Sequence, residues 1–171
     1  MANTYVKIGS VSVGVGGAAN MTFSSIPSTY TDLVVKFSAR VSTGTATTDQ
    51  MLISFNGSTT TFSMRNVYGT GSAAGSINNG GNERLIGWID TSNQTASTFA
   101  NGETYIPNYA GSTNKSLSTD LVQENNATAA YAAMTANLWS TTSAITSIAL
   151  TPATGSFEIY TTATLYGIKN S

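Results

Sequence analysis

Asp32-Leu-Val-Val-Lys-Phe-Ser-Ala-Arg-Val-Ser42 holds the strongest strand pattern in the chain. In an extended chain Leu33, Val35, Phe37 and Ala39 fall on one side, and Val34, Lys36, Ser38 and Arg40 on the other. That period-two alternation belongs to a half-buried β-strand. The segment before it, Ile26-Pro-Ser-Thr-Tyr-Thr-Asp32, carries Pro and Asp, which favour a turn leading into the strand.

Segments of the same kind recur on both sides of it. Residues 4–15 (with a break at Gly9), 20–26, 50–56, 59–68, 83–91, 97–107, 115–124, 129–140, 143–151 and 156–168 read as strands separated by turn residues. This is the spacing of an all-β sandwich. Asn56-Gly57, between Leu52-Ile-Ser-Phe55 and Thr61-Phe62, is the clearest hairpin signal, because both residues tolerate φ > 0. The alanine-rich stretch 127–138 has helical propensity. Thr128, Thr135 and Asn137 weaken it, so a strand with small side chains packed under something bulky is expected there. The Gly-rich segments 14–19 and 69–81 read as surface loops. One domain over residues 1–171 is expected, an all-β sandwich of the jelly-roll kind.

The composition limits the chemistry. Among 171 residues there is no His and no Cys, and 9% are charged. The usual general bases, soft metal ligands and activated nucleophiles are therefore missing. Ser and Thr are abundant, and small hydroxyl side chains suit strands and tight turns. The net charge is −1, and Lys7, Lys36, Arg40, Arg65, Arg84, Lys115 and Lys169 are scattered. No basic cluster offers itself to nucleic acid. Neither a basic-then-apolar leader nor a run of about 20 apolar residues points to export or to a membrane span.

Few groups remain that could do chemistry. A Ser-Lys dyad has no Ser-x-x-Lys motif to draw on. Glycosidase chemistry needs two carboxylates, and Glu103, Asp120 and Glu124 come nearest to a cluster, although solvated strand ends explain them as well. Asp32, Asp49 and Asp90 sit at strand edges where a calcium ion would find oxygen ligands. No Asp-x-Asp loop accompanies them, and Asp at a turn usually bonds to backbone. The glycines of Gly14-Val-Gly16-Gly17 and Gly69-Thr-Gly71 are turn residues, since no Lys-Ser or Lys-Thr follows to cradle phosphate. Asn-x-Ser/Thr triplets such as Asn20-Met-Thr22 are what a Ser/Thr-rich chain produces by chance. No catalytic residue, metal or cofactor is assigned, and the chain is expected not to be an enzyme. Among the aromatics, Phe23, Phe37, Phe55 and Trp88 fall on core positions. Tyr68, Tyr105, Tyr109 and Trp139 lie nearer loops or strand ends, where they serve core, interface or saccharide contact.

At Ile26-Pro-Ser-Thr-Tyr-Thr-Asp-Leu-Val-Val-Lys36, Ile53-Ser-Phe-Asn-Gly57, Gln123-Glu-Asn-Asn-Ala127 and Ala163-Thr-Leu-Tyr-Gly-Ile-Lys-Asn-Ser171 the chain resembles small virion structural proteins of tailed, cyanophage-like phages of aquatic bacteria. The resemblance runs the whole length. It implies a β-rich particle component, assembled in the cytoplasm of the host bacterium, and carries over no catalytic residues.

Two functions are expected in consequence. The first is a capsid decoration (cement) protein, a homotrimer on the outer surface of the capsid that binds the major capsid protein and itself. Anything that binds only the assembled shell stabilises it by mass action, and trimerisation multiplies the contacts. The alternative is a tail-fibre or receptor-binding module that recognises host surface polysaccharide; a glycan-degrading enzyme ranks third. Partner contacts are expected at residues 2–5 and 169–171 and in loops 43–49, 72–81 and 107–114. Ala2, Asn3, Tyr5, Asn79, Tyr109, Asn114 and Lys169 are the named candidates, chosen for their expected exposure.

Overall fold

The computed structural model describes residues 4–42, 47–126 and 130–169, in which there are twelve strands and no helix. They are β1 Tyr5–Ser12, β2 Met21–Phe23, β3 Asp32–Val41, β4 Thr48–Phe55, β5 Phe62–Gly69, β6 Ala74–Asn79, β7 Leu85–Thr91, β8 Ala100–Ile106, β9 Lys115–Gln123, β10 Tyr131–Trp139, β11 Ile148–Pro152 and β12 Thr162–Ile168. All of them join in one open sheet, ordered β2-β11-β4-β7-β3-β8-β9-β10-β5-β6, with β12 also on β3 and β1 on β12. The all-β expectation holds. A single continuous sheet is a coarser description than the sandwich or jelly roll expected from the sequence.

β3 is the hub. Its first seven residues pair antiparallel with β12, and Leu33 to Ala39 pair antiparallel with β8. Its last two residues, Arg40 and Val41, pair parallel with Asp90 and Thr91 of β7. At that corner the strands β2-β11-β4-β7 turn over the inner face of the other eight. Leu33, Val35, Phe37 and Ala39 then lie in the core with Phe23, Ile53, Ile86, Ile148, Leu121 and Leu165. The alternation read in the sequence is the one observed on this face. On the other face Lys36 is exposed, while Val34 and Arg40 are buried.

The close passage of β7 over β9 depends on Gly87. Its φ of 152° belongs to the region that L side chains rarely adopt, and a Cβ there would meet Leu121 Cδ1 at 2.6 Å. A second, smaller cluster of Met64, Leu85, Trp88 and Ala133 forms nearby. Trp88 stacks on Tyr131 with ring centroids 4.8 Å apart, and Tyr68 meets Trp88 edge-on at 5.2 Å. Ala133 thus fills the role expected of a small residue beneath something bulky. β10 is a strand, as expected; residues 127–129 lie outside the described residues.

Three expectations need correction. The Asn56-Gly57 turn exists, with φ of 53° and 74°, but β4 and β5 do not form a hairpin beyond the Phe55–Ser58 bridge. β4 pairs with β7 and β11, and β5 with β6 and β10. The Asn56 side chain is held by the chain before β11, accepting from the backbone N–H of Thr146 and Ser147 and donating to Ala144 C=O. Phe55 and Phe62 enter the core from two layers, each against Trp139. The second correction is β6, whose six residues run through the middle of the expected 69–81 loop. Gly75 permits it, because the Tyr68 ring lies where a Cβ would stand, 2.5 Å away. Gly9, by contrast, marks a break as expected: the β1–β12 register shifts between Lys7 and Gly9.

The third concerns Tyr109. It is fully buried, its hydroxyl donating to Pro27 C=O and accepting from Tyr30 N–H at 3.4 Å. Burial raises its pKa above the ordinary value. Pro27 and Tyr30 flank the entry into β3, so Tyr109 locks that turn and is not an exposed contact residue. Trp139, 2% exposed, is likewise core.

Candidate interaction surface

The eight strands β1-β12-β3-β8-β9-β10-β5-β6 have one face on the core and one outside. Cross-strand register builds a row of outer side chains: Ser76, Val67, Met134, Asp120, Glu103, Lys36 and Thr164. Directly opposed side chains in such a row are close enough to act together. Its two halves differ in chemistry.

The β5–β10 half is apolar. Met134 is 66% and Val67 55% exposed, with Val122 nearby on β9. Beside them runs a shallow groove of about 450 Å³ lined by Val67, Met134, Ala136, Ser76, Asn78 and Ser118 among others. The inner residues of the same strands are unusually polar. Asn66 Nδ2 donates to Thr135 Oγ1 at 2.6 Å, Thr104 and Thr119 hydroxyls meet at 2.8 Å, and Asn137 Nδ2 reaches Leu85 C=O across the layers at 3.0 Å. The residues turned outward on β10, Ala132, Met134, Ala136 and Leu138, are thus more apolar than the buried Thr135 and Asn137. That inversion was the available sequence signal for this face, and hydrophobic periodicity alone reads it backwards.

The β8–β3 half is charged. Lys36 Nζ and Glu103 are 2.7 Å apart, both half-exposed, and the hydrogen bond to Glu103, then its charge, raise the Lys36 pKa. Asp120 stands opposite Glu103 beside a hollow of about 330 Å³ over Gly102. Two of the three acids singled out from the sequence are therefore neighbours. Glu124 is not: it accepts from Asn126 N–H in the following loop.

The three aspartates considered for calcium are separate; Asp32 and Asp49 tie backbone, and Asp90 ties side chains. Asp32 accepts from Asn108 N–H and from the Tyr105 hydroxyl, a bond that raises the Tyr105 pKa. Asp49 accepts from Thr154 N–H. Asp90, fully buried, accepts from Gln123 Nε2 and Asn125 Nδ2. Among the described residues no three His, Cys, Asp or Glu side chains lie together as a metal site.

Of the expected contact residues, Tyr5, Asn79, Asn114 and Lys169 are exposed. All four lie at one end of the eight strands, where β1, β9 and the β12 terminus meet the ends of β3, β8 and β6. They are strung along that rim and not gathered: Tyr5 and Asn79 are seven strand spacings apart, roughly 34 Å at about 4.8 Å each. Lys169 Nζ sits 5.7 Å from the Tyr30 ring centre. Ala2, Asn3 and residues 43–46 and 170–171 lie outside the described residues.

Comparison with protein-family models, with curated proteins and with solved structures finds no match to this chain.

Proposed function

We propose that this chain is a non-enzymatic virion structural protein, a capsid decoration protein that binds the outer shell through the outer face of its eight strands. The observation that carries the reading is the Val67–Met134 groove, an exposed apolar strip on a stiff sheet, flanked by hydroxyl side chains and bordered by the Lys36, Glu103 and Asp120 charges. Apolar centres with polar rims are the anatomy of protein–protein interfaces. The partner is the major capsid protein, and a homotrimer would present three such faces at one symmetric site.

The strand order supports a jelly-roll particle module. The set β2-β11-β4-β7 faces a set β3-β8-β9-β10-β5-β6. Early and late strands interleave as in a jelly roll, with the β8–β10 meander in the place of one strand. The glycan-binding alternative is less favoured. The Tyr5 ring is taken up by Tyr166, edge-on at 6.0 Å, and by Lys36 Nζ 5.9 Å from its centre, the Tyr105 hydroxyl by Asp32, and Tyr68, Trp88 and Tyr131 spend their ring faces on one another.

Immunogold labelling of intact virions tests the proposal. Label spread over the head is the expected result. Label confined to the tail tip overturns decoration in favour of host recognition.

A further inference from the structure

The open sheet ends in three free edges, and they are not alike. β2 is three residues long. β1 carries Lys7 and a register shift beside it, both of which discourage a further strand. β6 has neither protection. Its six residues, Ala74-Gly-Ser-Ile-Asn-Asn79, contain no charge and no Pro, and their pairing with β5 is unbroken. Among the described residues no strand lies on its far side. The small cluster around Trp88 also ends here, with Tyr68 and Ile77 only partly buried at its margin.

We propose that β6 pairs antiparallel with β6 of a second copy of this chain, about a two-fold axis at Ser76. In that register Ser76 faces Ser76 of the second copy, Ala74 faces Asn78, and Ile77 faces Gly75. The Tyr68 ring already covers Gly75, so Ile77 of the second copy packs against that ring and closes the open margin of the cluster. An uncharged strand meets its own copy without like-charge repulsion, and a two-fold contact of this kind is self-limiting. The two outer grooves, which border β6 at Ser76 and Asn78, become one continuous face. The pairing does not depend on what that face binds, and within a homotrimer it would join one trimer to the next.

The chain has no cysteine, so introduced thiols report the register directly. Opposed residues in an antiparallel pair bring their Cα atoms to about 4.5–5.5 Å, within disulfide reach. Ser76→Cys is expected to oxidise to a covalent dimer at micromolar concentration. Ala74→Cys, displaced by four residues from its own copy, sits roughly 14 Å from it and is expected to cross-link at least about tenfold more slowly. The double variant Ala74→Cys/Asn78→Cys restores fast dimerisation. A Ser76→Cys protein that stays monomeric on a non-reducing gel, or an Ala74→Cys protein that links as fast, overturns the proposal.

Discussion

Gly87 lies directly against Leu121: a Cβ added at 87 would stand 3.0 Å from Leu121 Cβ and Cγ as well as 2.6 Å from Cδ1. The two layers are therefore as close at this point as backbone and side chain allow. Gly87→Ala combines a disfavoured φ with overpacking and is expected to cost on the order of 2–3 kcal/mol in denaturant unfolding. Because the two residues touch, Leu121→Ala in the same chain should recover part of that loss.

Arg40 organises the 92–99 segment from inside. Its guanidinium donates to the carbonyls of Gln94, Thr95 and Thr98, and its Nε pairs with Glu158 at 2.9 Å. Arg40→Met should destabilise by about 3 kcal/mol, since Glu158 and three carbonyls lose their donor. Limited proteolysis within 92–99 should accelerate. Unchanged cleavage would show that the segment is held by other contacts.

Tyr109 and Phe37 are now both core residues, 0% and 5% exposed. Tyr109→Ala and Phe37→Ala are each expected to cost about 3–5 kcal/mol. The loss in the tyrosine variant shows as unfolding and not as selective loss of partner binding. Tyr109→Phe, which keeps the ring and removes the bond to Pro27, should cost about 1 kcal/mol.

Met134→Asp places a charge in the middle of the exposed apolar strip. Because Met134 is 66% exposed, stability should change by no more than about 0.5 kcal/mol. Binding to purified shells should fall at least about tenfold if the strip is the contact. Binding equal to the parent's would remove this face from the interface.

Alkaline pH acts on the two bonded tyrosines. Tyr105, bonded to Asp32, and the buried Tyr109 both keep their protons above the ordinary 10.0. A pKa raised by folding means that the folded state holds the proton more tightly. The stabilisation is complete below pH 10.0 and declines as pH rises through the folded values. Lys36, raised by Glu103, has the same sign. Burial lowers the pKa of Lys115, which acts in the opposite direction. Phenolate absorbance should show Tyr105 and Tyr109 titrating above the ordinary value, and Tyr105→Phe should remove one of these late steps.

The strands that alternate strongly were legible, and β3 is the clearest case, since Leu33, Val35, Phe37 and Ala39 face one core. What remained hidden has physical causes. Apart from Ile77, β6 is made of Ala, Gly, Ser and Asn, which signal a loop, and it exists because β5 offers it a ladder. Tyr109 follows Pro107 and Asn108 in a polar turn, and nothing local tells that its ring reaches Pro27, 82 residues away. The outer face was not legible, because Thr135 and Asn137 are buried in side-chain hydrogen bonds while the apolar Met134 is exposed. The exposed rim residues Tyr5, Asn79, Asn114 and Lys169 were read correctly as exposed, but their spread along the sheet is a property of strand order, which alternation does not encode.

β12 lies between β1 and β3, and β1 has no other ladder partner. During synthesis, then, Tyr5–Ser12 waits unpaired until Thr162–Ile168 has followed. The ladders among β3 to β10 can form before that, and β1 joins last. A nascent protein arrested before residue 162 should present β3 with a bare flank to chaperones, so delivery of Thr162–Ile168 becomes the event that completes this part of the sheet.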